Sequence, residues 1–330
     1  YSFAQCRVEE ASVDHSHGDC GNMIAAVAPF ALECGLVEVC SQGTTRVHIH
    51  SLNTGALYSA DVTTSESKQG PAVCYEGDTE IPGVSRPAAP VTITTHGIAG
   101  SQTGKLLPTG RGQDSFDLGN GLGEVSATII DFARVLIMLD AREVLPRFGY
   151  DSMDEATKEK VEADAKLNAA LEKVRLAAAE ASGMGDCTGK DAPKLALLAP
   201  RGKGSPDHSA LPTSLALACR YFVNPGRSEM HPGIAMTAAQ AIAAACLLNQ
   251  GVVRSVLGPV ELVPELSAAG TGYGDYVLTI AHAQGIFPLR VTGQVSSDAG
   301  PLLEHFDGGV PVSASYATTV RPIAAGYACV

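Results

Sequence analysis

Two stretches of the chain, residues 23–32 (MIAAVAPFAL) and 238–248 (AAQAIAAACLL), are apolar on all sides when read at helical spacing. A helix without a polar face has to be enclosed by other structure. The segments that follow each stretch can supply the cover. Residues 45–50 and 56–62 read as strands joined by a turn at Asn53-Thr54-Gly55, and residues 276–281 and 286–291 as strands joined at Ala283-Gln284-Gly285. Each half thus shows a buried helix, a glycine stop (Gly35 or Gly251), strands, and a hairpin whose turn ends in glycine. One apolar helix surrounded by strands, present twice, predicts an α+β fold of two similar domains, each a curled sheet around a central buried helix. The two helix starts are then expected to face a common cleft, the usual place for a ligand.

A length of 330 residues agrees with two domains. The Gly-rich, non-periodic stretch 97–111 (GIAGSQTGKLLPTGR) marks the boundary, with residues 1–100 before it and 101–315 after. Residues 316–330 belong to a closing strand that returns to the first domain. Elsewhere, residues 1–13, 36–40, 91–95, 125–130, 134–139 and 194–199 read as strands, and 63–90 as loops around one short strand. Residues 152–182 form the clearest helix, with a Ser152/Glu155 capping box, a Leu167–Leu171–Val174–Ala178 stripe and a stop at Gly183. Its charged outer face reads as ordinary solvation. Residues 211–222 also read as a helix.

Net charge is −12, from 23 basic and 35 acidic side chains, and no basic run is long enough to neutralise a phosphate backbone. Nucleic acid is therefore not an expected partner. An acidic protein with an anionic substrate needs a local positive pocket, which helix starts and a few cations can supply. No apolar run reaches the roughly 20 residues that span a bilayer. The nine cysteines are odd in number and contain no C-x-x-C pair, which fits a reducing, cytoplasmic compartment with most thiols buried as packing.

The stretch Asp19-Cys20-Gly21-Asn22-Met23 carries the strongest chemical signal. It sets a thiol and three backbone N–H groups at the start of an apolar helix, where the dipole favours anions and lowers a cysteine pKa. A buried, inert Cys20 is the competing reading. His15, His17, His48 and His50 do not amount to a metal site, since no carboxylate or third histidine converges on them in the sequence. Lys105 is followed by Leu106, so its glycine-rich stretch is not a phosphate loop.

These residues resemble the PrpF family, which shares the diaminopimelate-epimerase-like fold. The matching pieces are CGNMIAAVAPFALECGLV at 20–37, NTG at 53–55, IPGVSRPAAP at 81–90 and TGKLLPTG at 103–110. They continue with LEKVRLAAAEASGMG at 171–185, PKLALLAP at 193–200, HPGIAMTAA at 231–239, HAQG at 282–285 and TVRPIAAG at 319–326. The resemblance implies a cofactor-independent, metal-free isomerase that moves a proton across the allylic system of a small unsaturated tricarboxylate, such as aconitate or a methyl or oxo relative. It assigns Cys20 as the catalytic thiol. Gly21, Asn22 and Met23 would hold one carboxylate, and Thr237 and Ala238 another. Lys105, His231 and Arg321 would complete the substrate contacts. The expected partners are a polycarboxylate substrate and a second copy of the chain in a homodimer; no membrane is expected.

Three departures stand out. The family's Thr-Ser-Lys segment, whose lysine looks like the base, falls before Tyr1, so the sequence is expected to continue upstream. Asp19 stands where the family usually has Asn, placing a carboxylate beside the thiol. Ala238 and Thr318 stand where Gly and Arg are common. Two other readings are a binding protein that kept the pocket and lost catalysis, and an epimerase with two facing cysteines. The latter needs Cys246, about nine residues inside the second helix, to reach the ligand.

Overall fold

The computed structural model describes residues 1–7, 11–14, 19–41, 43–81, 84–200, 215–248, 250–258, 266–267, 273–294 and 313–323. The loop with His15 and His17, the Pro82-Gly83 pair and residues 211–214 and 324–330 of the sequence-based expectations lie outside them. The chain divides into two compact units, Tyr1–His96 with Ser315–Val330, and Gly97–Ala314.

The first unit contains β1 (Gln5–Arg7), β2 (Ser12–Asp14), α1 (Gly21–Glu33), β3 (Gly43–His50), β4 (Leu57–Ser67), β5 (Gly70–Val73) and β6 (Pro90–His96). The second contains β7 (Asp114–Asp117), β8 (Glu124–Phe132), β9 (Arg134–Asp140), α2 (Ala141–Val144), α3 (Lys158–Ala163), α4 (Ala165–Ala181), β10 (Lys194–Pro200), β11 (Leu215–Asn224) and β12 (Glu229–Met230). It continues with α5 (Met236–Leu248), α6 (Gly251–Leu257), β13 (Leu266–Ser267), β14 (Tyr273–His282) and β15 (Gly285–Gln294). The last strand, β16 (Ser313–Thr319), brings the chain back to the first unit.

In the first unit the strand order is β3-β4-β6-β16, with β5 on β4. Alternation sets which side is covered: on β3, Thr45, Val47 and Ile49 are buried and the residues between them exposed. Helix α1 packs against β3, β4, β5 and β6. It ends in a Schellman motif: Gly35 N–H donates to Leu32 O and Leu36 N–H to Ala31 O, with Gly35 at φ +68°. This helix corrects one expectation. It is buried along one face only, through Ile24, Ala25, Ala28 and Leu32, while Met23 and Phe30 are 52% and 62% exposed. It also runs unbroken through Pro29, so the proline removes one donor without ending the helix.

Further corrections fall in the same unit. Residues 1–13 hold a small antiparallel pair, β1 with β2, rather than one strand. Residues 36–40 form no strand; the turn set by Gly35 is followed by irregular chain. The stretch 63–90 begins inside β4, which extends to Ser67 before β5 pairs back onto it.

In the second unit the strands run β15-β14-β11-β10-β9-β8-β7. β10 is parallel to β9 and β11 is parallel to β14; β10 with β11, β14 with β15, β7 with β8 and β8 with β9 pair antiparallel. Helix α5 is buried from Ala238 to Leu248, as its composition predicts, and packs on β8, β9 and β15. Gly251, expected as the stop after the second apolar helix, instead opens α6, and its backbone fits closely against Gly112 and Thr128. A Cβ there would lie 2.1 Å from the Gly112 carbonyl oxygen, at a φ of +57°. A different core holds α4, where Leu167, Leu171, Val174 and Ala178 meet Leu195, Leu197 and Phe222.

The helical stretch 152–182 starts later than its capping pattern suggests. Thr157 caps α3 and Asp164 caps α4, accepting from the N–H groups of Lys166 and Leu167. Glu155 accepts from Asp151 N–H instead of reaching a Ser152 cap. Nor is the charged face of α4 all solvated: Arg175 is buried, pairs twice with Glu172 at 2.6 Å and donates to Ala192 O and Cys187 O. Replacing Asp164 by alanine is expected to lower stability by about 1 kcal/mol, the usual worth of a cap. Urea unfolding would show a lower midpoint at unchanged m.

The segment read as a helix over 211–222 is strand β11 where it is described. Its Leu195–Phe222 to Pro200–Leu217 pairing with β10 and its Leu215–Leu278 pairing with β14 place it inside the sheet. No single helix among the described residues is long and apolar enough to cross a membrane; the bent pair α5–α6 meets the length and composition criterion only jointly.

Candidate active site

Cys20 is the N-cap of α1. Its backbone is extended, at φ −99° and ψ 111°, and its carbonyl accepts from both Met23 N–H and Ile24 N–H at 3.0 Å. Among the described residues, no hydrogen bond uses the N–H groups of Gly21 or Asn22. The helix therefore begins with two open donors and the positive end of its dipole. The Cys20 thiol is half-buried, makes no capping hydrogen bond and is in no disulfide.

What fixes this start is Asp19. Its carboxylate accepts from Ser51 Oγ, from Thr54 Oγ1 at 2.6 Å and from the Tyr58 hydroxyl at 2.8 Å. All three donors sit on or beside the turn between β3 and β4. The same turn is locked by Asn53, whose amide exchanges two hydrogen bonds with the Phe3 backbone at 2.7 and 2.8 Å. The carboxylate beside the thiol is thus met by three hydroxyls, which offsets the cost of holding its charge there.

Phenols gather around this point. Burial and the Asp19 hydrogen bond push the Tyr58 hydroxyl far above its ordinary range. Burial pushes Tyr1 up to about 12 and raises Tyr316, which also feels Tyr58 and Cys20. These groups stay protonated across the working pH range, and Tyr58 donates to Asp19. Sequence reasoning missed Ser51, Tyr58 and Tyr316; the only sequence signal was the NTG turn that carries Ser51 and Tyr58 on its flanks.

Arg321 lies just past β16, exposed, with its guanidinium donating to Pro87 O at 3.2 Å. His48 and His50 are exposed on one face of β3; His48 shares Ser59 Oγ with His96. No group of three metal-ligating side chains occurs among the described residues.

In the second unit, α5 begins at Met236 with Thr237 half-buried and Ala238 buried. Among the described residues, no hydrogen bond uses the N–H groups of Met236, Thr237 or Ala238, and the first helical bond is Ala239 N–H to Ala235 O at 3.0 Å. His231 is half-buried, its ring edge-on to Tyr221 at 6.0 Å and its Nδ1 accepting from Gly233 N–H. Burial lowers its pKa, so the imidazole is neutral near pH 7. Cys246 lies deep in α5, with a thiol that burial pushes up to about 12. A fully buried neutral thiol is no partner for a two-cysteine epimerase.

Lys105 is exposed in the loop between β6 and β7. That loop is anchored on the buried Asp131, whose carboxylate accepts from Gln102 N–H, Thr103 N–H and Thr103 Oγ1 at 2.8, 2.6 and 2.9 Å. Gly100 makes the fold of the loop possible: a Cβ there would lie 2.7 Å from Lys105 N, at a φ of +69°. A buried lysine that sequence reasoning also missed, Lys194, donates to Val223 O at 2.7 Å. Burial, with Arg134 nearby, pushes it down to about 8.

The α+β fold, with a free thiol beside an open helix start, suits an isomerase of the diaminopimelate-epimerase-like class. The crystal structure of a methylitaconate-delta-isomerase superposes with a TM-score of 0.68 and 26% identity, over 97% of this chain and 75% of that one. The family model described as "PrpF protein" matches residues 1–285, and the chain belongs to the PrpF family. The putative isomerase YbhH of Escherichia coli (strain K12) is 35% identical over 294 residues, covering 89% of this chain and 71% of that protein. The 4-oxalomesaconate tautomerase of Pseudomonas putida is 33% identical over 332 residues, covering 100% of this chain and 76% of that protein.

Proposed function

We propose that the protein is a cofactor-independent isomerase that moves a proton across the allylic system of a small unsaturated tricarboxylate, with aconitate or a methyl or oxo relative as substrate. The carrying observation is the Cys20 thiol at an α1 start that leaves the Gly21 and Asn22 N–H groups open. Relatives named for oxalomesaconate, 3-methylitaconate and 2-methyl-aconitate support the substrate class.

The chemistry follows from these groups. A proton on carbon between an alkene and a carboxylate is weakly acidic. Its removal spreads negative charge into the carboxylate as a dienolate. Fixed N–H dipoles aimed at that charge stabilise it strongly in a site that excludes water. In this reading the open N–H groups of Gly21 and Asn22 hold one carboxylate, and Thr237 and Ala238 a second; Met23, expected to join the first pair, has its N–H taken by Cys20 O at 3.0 Å. Lys105, His231 and Arg321 add positive or donor groups. Cys20 exchanges a proton with the carbon skeleton, and a second group completes the transfer at the other allylic carbon. Among the described cysteines only Cys187, Cys219 and Cys246 are buried, while Cys20 and Cys74 are half-buried and Cys6, Cys34 and Cys40 exposed, so most thiols are not core packing as expected; that these cysteines form no disulfide supports a reducing, cytoplasmic setting.

The test is incubation of the protein with cis-aconitate, and separately with its methyl and oxo analogues, in deuterated water. The expected result is an isomerised product that carries deuterium at an allylic carbon. Absence of both isomerisation and exchange with every analogue overturns the reading. Stabilisation by tricarboxylates without either reaction identifies a binding protein instead.

A further inference from the structure

The second unit contains a cavity of about 570 Å³ that the proposed reaction does not use. It lies on the sheet face that carries α4. Ala218, Phe222 and Ala281 belong to the α4 core, which contains no α5 side chain. Arg220 alternates with Ala218 and Phe222, so it points to the same side.

Arg220 lines the cavity and is only 8% exposed. Its guanidinium donates to Ala156 O and Met153 O at 2.9 Å and to Cys219 O at 3.2 Å. A guanidinium has five N–H donors, so two are left over. Among the described residues no carboxylate forms an ion pair with it. Its hydrogen bonds go only to neutral carbonyls, and the one carboxylate that acts on it, Asp154, does so from the rim without forming an ion pair; a buried cation so placed keeps a preference for an anion, and its planar fork suits a carboxylate. His282 stands on the same wall. Its Nδ1 accepts from Gln284 N–H at 3.3 Å, which leaves Nε2 to carry the proton of the neutral ring. Burial beside His231 and Arg220 keeps the ring neutral.

The mouth has the opposite sign. Asp154 and Glu159 line it, are exposed, and make no hydrogen bond or ion pair with any described residue. The one other cation, Lys158, is already engaged by Glu162 and Met230 O. A ligand with several carboxylates would set its second one against this acidic rim. A ligand with one carboxylate and one ammonium meets both ends.

We infer that this cavity is a second binding site, for a small amino carboxylate whose carboxylate pairs with Arg220 and whose ammonium lies between Asp154 and Glu159. None of its lining residues is among those proposed to hold the polycarboxylate, though His282 adjoins His231, so its occupant is a ligand other than that substrate.

Calorimetric titration of the protein with ω-amino acids from glycine to 6-aminohexanoate tests this, with pentanoate, pentylamine and the saturated tricarboxylate tricarballylate as comparison ligands. The expected result is saturable binding of at least one ω-amino acid, at least about tenfold tighter than pentanoate or pentylamine. D154N/E159Q is expected to weaken that binding at least about tenfold, and R220M to abolish it. The two rim side chains are exposed, so D154N/E159Q keeps the test decisive if R220M does not fold. Equal binding of pentanoate, an unchanged affinity in D154N/E159Q, or no saturable binding across the series overturns the inference. None of these readouts depends on turnover, so they stand or fall independently of the proposed isomerisation.

Discussion

Cys20→Ala is expected to lower kcat by about a thousandfold, the middle of the range for losing a positioned proton-transfer group. The substitution removes the sulfur and leaves the cap almost untouched. Cys20 makes no side-chain capping bond, and the helix start is fixed through the Cys20 carbonyl and through Asp19. Binding of a tricarboxylate is therefore expected to persist in the variant, since the open N–H groups of Gly21 and Asn22 belong to the backbone. The measurements are steady-state kinetics with the substrate found in the deuterium experiment, and a binding titration of wild type and variant. A variant that turns over at wild-type rate removes Cys20 from the mechanism. A variant that loses binding and turnover together shows a broken helix start.

Asp131→Ala is expected to lower the stability of the second unit by about 3 kcal/mol. Charge-assisted hydrogen bonds contribute roughly 1.5–3 kcal/mol each, but loop relaxation and water entry recover part of that. The carboxylate is fully buried and gathers two backbone N–H groups and the Thr103 hydroxyl. Alanine leaves the two N–H groups without an acceptor, while the Thr103 hydroxyl can still donate to Lys105 O at 3.1 Å. The effect extends to function, because the same bonds hold the loop that presents Lys105. KM for the tricarboxylate is expected to rise more than kcat falls, the pattern of lost ground-state binding. Chemical denaturation and steady-state kinetics check the two halves. Unchanged stability would show that the loop is held by other contacts, chiefly Gly100 N–H to Asp131 O and Asp131 N–H to Leu106 O at 2.8 Å.

Local signals in the sequence were sufficient wherever one segment's own chemistry dominates. Composition alone requires α5 to be enclosed. Gly35 and Gly183 end their helices because only a left-handed residue lets the chain turn there, at φ +68° and +75°. The β14–β15 hairpin follows from two alternating runs around a short turn, and its register ends at His282–Gly285. The order of motifs along the chain was enough to point to the PrpF family.

Other features depended on neighbours far away in sequence. The run LALACRYFV is equally compatible with a buried helix and a buried strand, since every position is apolar or covered and no period survives. Pairing with β10 on one side and β14 on the other makes β11 a strand. Helix α1 has as apolar a sequence as α5, yet the sheet of its unit covers one face only. Asp19 looked like a liability beside Cys20. Ser51, Thr54 and Tyr58, 32 to 39 residues away, turn it into the anchor of the helix start. Arg175 read as part of a solvated face, and both it and Arg220 are buried against carbonyls of distant loops. Propensity, capping and periodicity act within a few residues, so the sequence alone determines them. Burial and charge compensation are set by whatever the fold brings alongside, and only the tertiary structure decides that.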